Sequence, residues 1–377
     1  MQITFLLTHI PNPRINKRIM VAKRCGEVAV FCIRRTAQNL WEPCFDDVMY
    51  EIIQTDLPTA KHLLMRLAKS IKEFQRPAMK FLDCHMPQVI VLEGLDALSV
   101  AKKYKKRHSL SRIIYEVADL RECFIEKPSS VFSRLLTFII RLREHHLFTC
   151  VDYLIVTSEK FYEYHYKTLL PQDRVIFLPN APDPIPFAGY RKKDKGRFTV
   201  GFIGGLRYIK QMKMLVDIAE QVNCDVLFAG GAFSPNEYEE IMTYCSNKDF
   251  AKFFGKYDYN DEIANLYGMV DCVYSVYDAD NANVKIALPN KLYEAILCEL
   301  PIIVAKGTYL SEMVEKWGVG VSVSATNPQE LEMAIKKLST DSNYYTALEN
   351  NCRLHKPDIS LERYSDKLAH CIQGITQ

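Results

Sequence analysis

The chain reads as an α/β protein made of two successive Rossmann-like domains, and three features of the sequence carry that reading. Short apolar runs alternate with longer amphipathic segments through most of its 377 residues, the pattern of parallel βαβ units. The alternation breaks once, at Leu178-Pro-Asn-Ala-Pro-Asp-Pro-Ile-Pro and the basic Tyr190-Arg-Lys-Lys-Asp-Lys-Gly that follows. It restarts at Val200-Gly-Phe-Ile-Gly-Gly-Leu-Arg-Tyr-Ile-Lys, a buried-strand pattern that runs straight into a glycine turn and a helix start. The chain is also too long for one ordinary core and suits two domains of roughly 150–190 residues.

Taken in order, the first half has apolar runs at 2–8, 27–33, 88–93, 112–117 and 151–157, with a weaker one at 51–54. Residues 178–197 read as a linker, since prolines exclude helix and the charge run would not pack. In the second half strands are expected at 199–203, 225–229, 251–254, 271–275, 301–304 and 318–323. Helical patterns between them cover 212–222, 236–245, 261–267, 290–298, 328–338 and 342–353. A last amphipathic segment, 360–372, follows the break at Pro357.

Composition excludes several classes. A hydrophobic share of 48% and a charged share of 25% are those of a globular chain. A net charge of +3 with no basic tail gives no footing for nucleic acid. The twelve cysteines are scattered singly without a C-x-x-C pair. Cys32, Cys150, Cys272 and Cys298 sit in apolar segments, so reduced core thiols are expected rather than disulfides. The nine histidines show no metal spacing, and no metal is expected. The first residues lack the basic region of a signal peptide, and no apolar run approaches the ~20 residues of a membrane span, so an intracellular protein is expected.

Ligands of such sheets sit at the carboxyl ends of strands, so motifs just after strands count most. Gly204 and Gly205 let the backbone approach a ligand, and a helix N-terminus presents free N–H groups to an anion. Arg207 and Lys210, three residues apart, would lie one helical turn apart on one face. They suit a diphosphate, or else a solvated helix face. Lys291 and Glu294 stand near the start of a second helix opened by Pro289-Asn290. Glu294 there either complements the helix dipole or accepts hydrogen bonds from sugar hydroxyls. Asp119, just past a strand of the first half, is either a cleft group or a turn cap, and Glu93 is a weaker case. Two basic segments, 102–108 and 133–143, are either solvated helix faces or contacts for an anionic membrane surface.

At these motifs the chain resembles the GT-B retaining glycosyltransferases of the group 1 type, which build bacterial surface polysaccharides such as capsule and lipopolysaccharide. The resemblance runs through Gly204-Gly-Leu-Arg207 and Lys210, Phe254-Gly-Lys-Tyr257, Leu266-Tyr267 with Val270-Asp271, Leu288-Pro-Asn-Lys-Leu-Tyr-Glu294 and Leu300-Pro-Ile-Ile-Val304. Leu178-Pro-Asn-Ala-Pro-Asp resembles the interdomain segment. Looser matches in the first half are Asn12-Pro-Arg-Ile-Asn-Lys-Arg, Gly94-Leu-Asp-Ala-Leu, Ile114-Tyr-Glu-Val-Ala-Asp and Val151-Asp-Tyr-Leu-Ile-Val-Thr-Ser.

The resemblance implies a GT-B architecture. Its parts would be an acceptor-binding domain over 1–177, a linker over 178–197, a nucleotide-sugar domain over 198–355, and a terminal helix within 356–377 packing back on the first domain. It implies that Arg207 and Lys210 hold the donor diphosphate, that Glu294 binds ribose with Asn290 and Lys291 nearby, and that Lys256 and Tyr257 flank the base. It implies retaining, metal-independent transfer without a cofactor, from a UDP-sugar to a glycan or lipid-linked acceptor. The place implied is cytoplasmic, with peripheral contact at the inner membrane face.

The chain departs from the family at Ile286, where a second Glu is usual, at Ala118, where a His is often found, and at Pro11-Asn-Pro-Arg, in place of a glycine-rich loop. The Arg-to-Lys gap is also shorter. A nucleotide-sugar epimerase on the same frame, or a silent module that binds nucleotide sugar or a partner transferase, are the competing readings.

Overall fold

The computed structural model describes residues 1–35, 41–56, 68–120, 130–193, 196–231 and 235–374. The chain divides into two compact units: Met1–Pro179 with Glu362–Gln377, and Asn180–Leu361.

The first unit is built on seven strands, β1 (Gln2–Leu6), β2 (Glu27–Arg34), β3 (Met49–Gln54), β4 (Val89–Glu93), β5 (Arg112–Val117), β6 (Tyr153–Val156) and β7 (Val175–Phe177). All pairs are parallel, in the order β3-β2-β1-β4-β5-β6-β7. Ile3, Phe5 and Leu6 of β1 are fully buried; a strand covered on both faces has no polar side to alternate with. The weak pattern at 51–54 belongs to the full strand β3. Its position at the sheet edge leaves residues alternately exposed, which dilutes the apolar signal. The strand β7 has three residues, too few to show a period. Helix Pro13–Lys23 starts with a proline at its first position, and the Asn12 side chain accepts from the Ile15 N–H at 3.0 Å. Helix Leu361–Gly374 buries Tyr364, Leu368 and Ile372, a stripe at four-residue spacing. Its Asp366 meets Arg24 at 3.1 Å, and the Tyr364 ring meets Phe177 at 6.2 Å.

The second unit has six parallel strands, β8 (Thr199–Ile203), β9 (Asp225–Ala229), β10 (Ala251–Gly255), β11 (Cys272–Ser275), β12 (Ile302–Ala305) and β13 (Gly320–Val323), in the order β10-β9-β8-β11-β12-β13. This is the doubly wound order with the first strand at the centre. Helix Ile209–Val222 packs Met212, Leu215, Val216 and Ala219 into its core. Helix Tyr309–Trp317 was not expected from periodicity. A capping box starts it: Thr308 Oγ1 accepts from the Ser311 N–H at 3.1 Å, and Ser311 Oγ accepts from the Thr308 N–H at 3.2 Å. Two parallel sheets with flanking helices bear out the α/β, two-Rossmann fold class.

Candidate functional site

The carboxyl edge of β8 is a knot of backbone. Gly204 has φ +129, and its N–H donates to the Ala229 carbonyl at 2.8 Å. Gly230 has φ +133, and a Cβ there would stand 2.1 Å from the Gly204 carbonyl oxygen, so only glycine fits. The Leu206 N–H donates to the Gly231 carbonyl at 2.9 Å. Tyr208 then adopts φ +66, a left-handed conformation that costs a bulky residue energy and concentrates at functional sites. Helix Ile209–Val222 follows with no side-chain cap on its first N–H groups, which leaves them to other acceptors.

Three cations belong to this turn or lie beside it. Lys210 lies exposed in the first helical turn. Arg207 precedes the helix, and the left-handed Tyr208 separates the two, so the expected one-turn spacing on a helix face does not describe them. The Arg207 guanidinium instead lies 5.2 Å from the Tyr208 ring centroid and 5.7 Å from that of Tyr277. The third cation, Lys291, comes from helix Asn290–Leu297 and is buried. Its Nζ donates to Tyr277 Oη at 2.7 Å and sits 4.0 Å from the Phe202 ring centroid. A Cβ on Gly204 would be 3.3 Å from both Cε and Nζ of Lys291, so the ammonium lies alongside the turn. Burial pushes the Tyr277 phenol up, but the Lys291 charge and hydrogen bond, with Arg207, hold it below its ordinary value.

One turn further along the same helix, Glu294 faces a different set of groups. Tyr259 Oη donates to its Oε1 at 2.8 Å and Tyr267 Oη to its Oε2 at 2.6 Å. Burial and the Glu294 charge push the phenols of Tyr257, Tyr259 and Tyr267 above their ordinary value. Tyr257 is thereby placed in the field of Glu294. The Lys256 side chain runs over Gly231, where a Cβ would lie 3.2 Å from its Cε. Asn290 Oδ1 accepts from Asn180 Nδ2 at 2.8 Å. Helix Asn290–Leu297 thus carries a cation to the glycine turn and a carboxylate to a nest of tyrosines.

Gly204, Gly205, Arg207, Lys210, Lys256, Tyr257, Asn290, Lys291 and Glu294 all fall in the second unit, at or just past strand ends or on this helix. Asp119 belongs to the first unit and is exposed just past β5. Sequence reasoning missed Tyr277 and Tyr259. Tyr277 lies two residues past β11, so the strand-end rule points to it, but Tyr274-Ser-Val-Tyr277 reads as one apolar run. Among the described residues no three His, Cys, Asp or Glu side chains are grouped to hold a metal, and each described cysteine is a free thiol.

Two doubly wound sheets with such a strand-end site define the GT-B class. Anabaena HepE in complex with UDP-glucose matches with a TM-score of 0.72 at 16% identity, over 99% of this chain and 100% of that one. Sucrose-phosphate synthase from Thermosynechococcus elongatus matches with a TM-score of 0.75 at 15% identity, over 100% and 99%. Residues 189–355 match the family model described as Glycosyl transferases group 1. A curated relative, the succinoglycan biosynthesis protein ExoL of Rhizobium meliloti (strain 1021), is 22% identical over 281 residues, which are 71% of this chain and 68% of that protein.

Proposed function

We propose that the chain is a retaining glycosyltransferase that moves a sugar from a UDP-linked donor to a glycan or lipid-linked acceptor in cell-envelope polysaccharide synthesis, without a metal ion. The observation that carries this reading is Lys291, a buried ammonium beside Gly204 whose hydrogen-bond partner is a phenol, not a carboxylate. An ammonium held this way has donors to spare for an anion. With Arg207, Lys210 and the open helix N-terminus it suits the charge that develops on a leaving diphosphate, and preorganised donors aimed at such charge are commonly the largest catalytic term. Glu294, on the next turn, suits ribose hydroxyls. The complexes of HepE with UDP and UDP-glucose, and the succinoglycan role in the name of ExoL, support the donor and the pathway class.

Contact with an anionic bilayer is part of the same proposal. In the first unit, helix Val131–Phe148 leaves Val131, Phe132, Leu135, Phe138 and Leu142 each more than half exposed. Arg134 and Arg141 flank this stripe, and the helix carboxylate Glu144 is buried against His165 and Tyr166. An apolar face edged by arginines fits an interfacial position. No described helix is long and apolar enough to cross a membrane.

The test is a screen of radiolabelled UDP-sugars for transfer, hydrolysis and epimerisation with the parent chain and Arg207→Ala. UDP release that disappears in the variant supports the reading. Interconversion of UDP-sugars would make the chain an epimerase, and donor binding without turnover would make it the silent module that Ile286 and Ala118 suggest.

A further inference from the structure

We propose that Tyr277 is a positioning residue for the diphosphate, acting through two cations at once: its hydroxyl holds Lys291 and its ring holds Arg207. The inference rests on the donor reading above and adds to it the group that sets these cations in place.

Strand pairing brings Tyr277 to the glycine turn. β11 runs beside β8 with Cys272 opposite Val200 and Val273 opposite Gly201. Carried forward, that register sets Tyr277, two residues past β11, level with Gly205. The side chain is buried. Its ring centroid lies 5.0 Å from that of Tyr208 and 6.3 Å from that of Phe202. Both neighbours belong to the β8 segment. Phe202 lies within the strand, and Tyr208 is the left-handed residue just before helix Ile209–Val222.

The two ends of the side chain serve different cations. Tyr277 Oη accepts from Lys291 Nζ at 2.7 Å, while the same ammonium lies 4.0 Å from the Phe202 ring centroid. An ammonium has three donors, so one spent on the phenol and one turned to the ring leave a third. At the other end, the Arg207 guanidinium lies 5.7 Å from the Tyr277 ring centroid and 5.2 Å from that of Tyr208, so the paired rings support it.

Stability alone does not account for this arrangement. A buried ammonium is costly unless an opposite charge pairs with it, and a neutral phenol does not supply one. Phenylalanine at 277 would keep every ring contact. What the hydroxyl adds is a fixed place for the Lys291 ammonium. A lysine already held at one point has less freedom to lose when a phosphate arrives. Tyr208, whose backbone conformation is itself unfavourable, is backed by the same ring.

Double-mutant cycles on the full chain test the proposal, with calorimetric titration of UDP and uridine. Tyr277→Phe should weaken UDP about tenfold, the share of one charge-assisted hydrogen bond, and leave uridine unchanged. On a Lys291→Met background the same substitution should cost less than about twofold, because the hydroxyl acts through that ammonium. Tyr277→Leu should weaken UDP about threefold further than Tyr277→Phe, and this extra loss should vanish on an Arg207→Ala background. Recovery of the Arg207 share by the conservative Phe variant is a result that a general packing role does not produce. Unchanged UDP affinity in Tyr277→Phe, or losses that simply add when it is combined with Lys291→Met, overturns the proposal. Should Tyr277→Leu unfold by circular dichroism, the Phe cycle decides alone. UDP binding that falls in Lys291→Met but not in Tyr277→Phe removes Tyr277 and leaves the donor reading standing. A parent chain that binds no UDP brings both down.

Discussion

Replacing Lys291 by methionine separates a ligand-binding cation from a structural one. The Lys291 ammonium is buried over the Phe202 ring and donates to the Tyr277 phenol. Methionine fills nearly the same space without the charge. In the free protein two effects oppose each other. Removing a desolvated charge helps, while the phenol loses a partner at a cost of ~1–3 kcal/mol. The net change in stability should stay within about 1 kcal/mol, or a few degrees in melting temperature. In the complex nothing offsets the loss. A charge-assisted contact of ~1.5–3 kcal/mol to a phosphate disappears, equivalent to a roughly 10- to 150-fold weaker UDP affinity. Uridine, which lacks the phosphates, should bind parent and variant alike. Calorimetric titration of UDP and uridine, with thermal melts on the same samples, measures both. Unchanged UDP affinity, or an equal loss for uridine, would refute the assignment of Lys291 to the diphosphate.

Three further outcomes are expected. Glu294→Gln keeps one acceptor oxygen but turns a donor toward the other tyrosine; UDP should bind about tenfold more weakly, with less preference over 2′-deoxy-UDP, and an unaltered preference contradicts a ribose role. Burial pushes the Glu93 carboxyl up, but Arg14 and His9 hold it below its ordinary 4.5 in the folded chain, so its stabilisation is present above that pH and is lost as acid protonates it. Urea midpoints between about pH 5 and about pH 3 should therefore fall more steeply for the parent than for Glu93→Gln, and parallel slopes would refute this. Phe138→Glu and Leu142→Glu should abolish co-sedimentation with phosphatidylglycerol vesicles, whereas retained binding would remove helix Val131–Phe148 from the membrane account.

Much of the fold was legible because buried parallel strands write themselves as continuous apolar runs. Val200-Gly-Phe-Ile203 and Pro301-Ile-Ile-Val304 show this plainly. What escaped, or showed only weakly, lacks such a signal: β3, half exposed at an edge, shows only as the weak run at 51–54, β7 has three residues, and helix Tyr309–Trp317 announces itself through a Thr308–Ser311 cap rather than through Glu or Gln. The groups of the candidate site in the second unit were legible as local motifs, Gly204 to Lys210 and Asn290 to Glu294. Their partners were not. Lys291 meets Tyr277 across 14 positions, Glu294 meets Tyr259 across 35, and Arg14 meets Glu116 across 102. A residue whose role is to hold another residue carries no mark of it in its own neighbourhood. The relation of Arg207 to Lys210 failed for the opposite reason: spacing of three suggested a helix face, but the helix begins only after the left-handed Tyr208.

The central claim is that the glycine turn of the second unit binds a nucleoside diphosphate. Calorimetric titration of uridine, UMP and UDP into the parent chain and into the Arg207→Ala, Lys210→Ala double variant tests it most directly. The account predicts that affinity climbs with each phosphate in the parent and that the climb flattens in the double variant. Absence of binding by any of the three, or a double variant that binds UDP as the parent does, would contradict it.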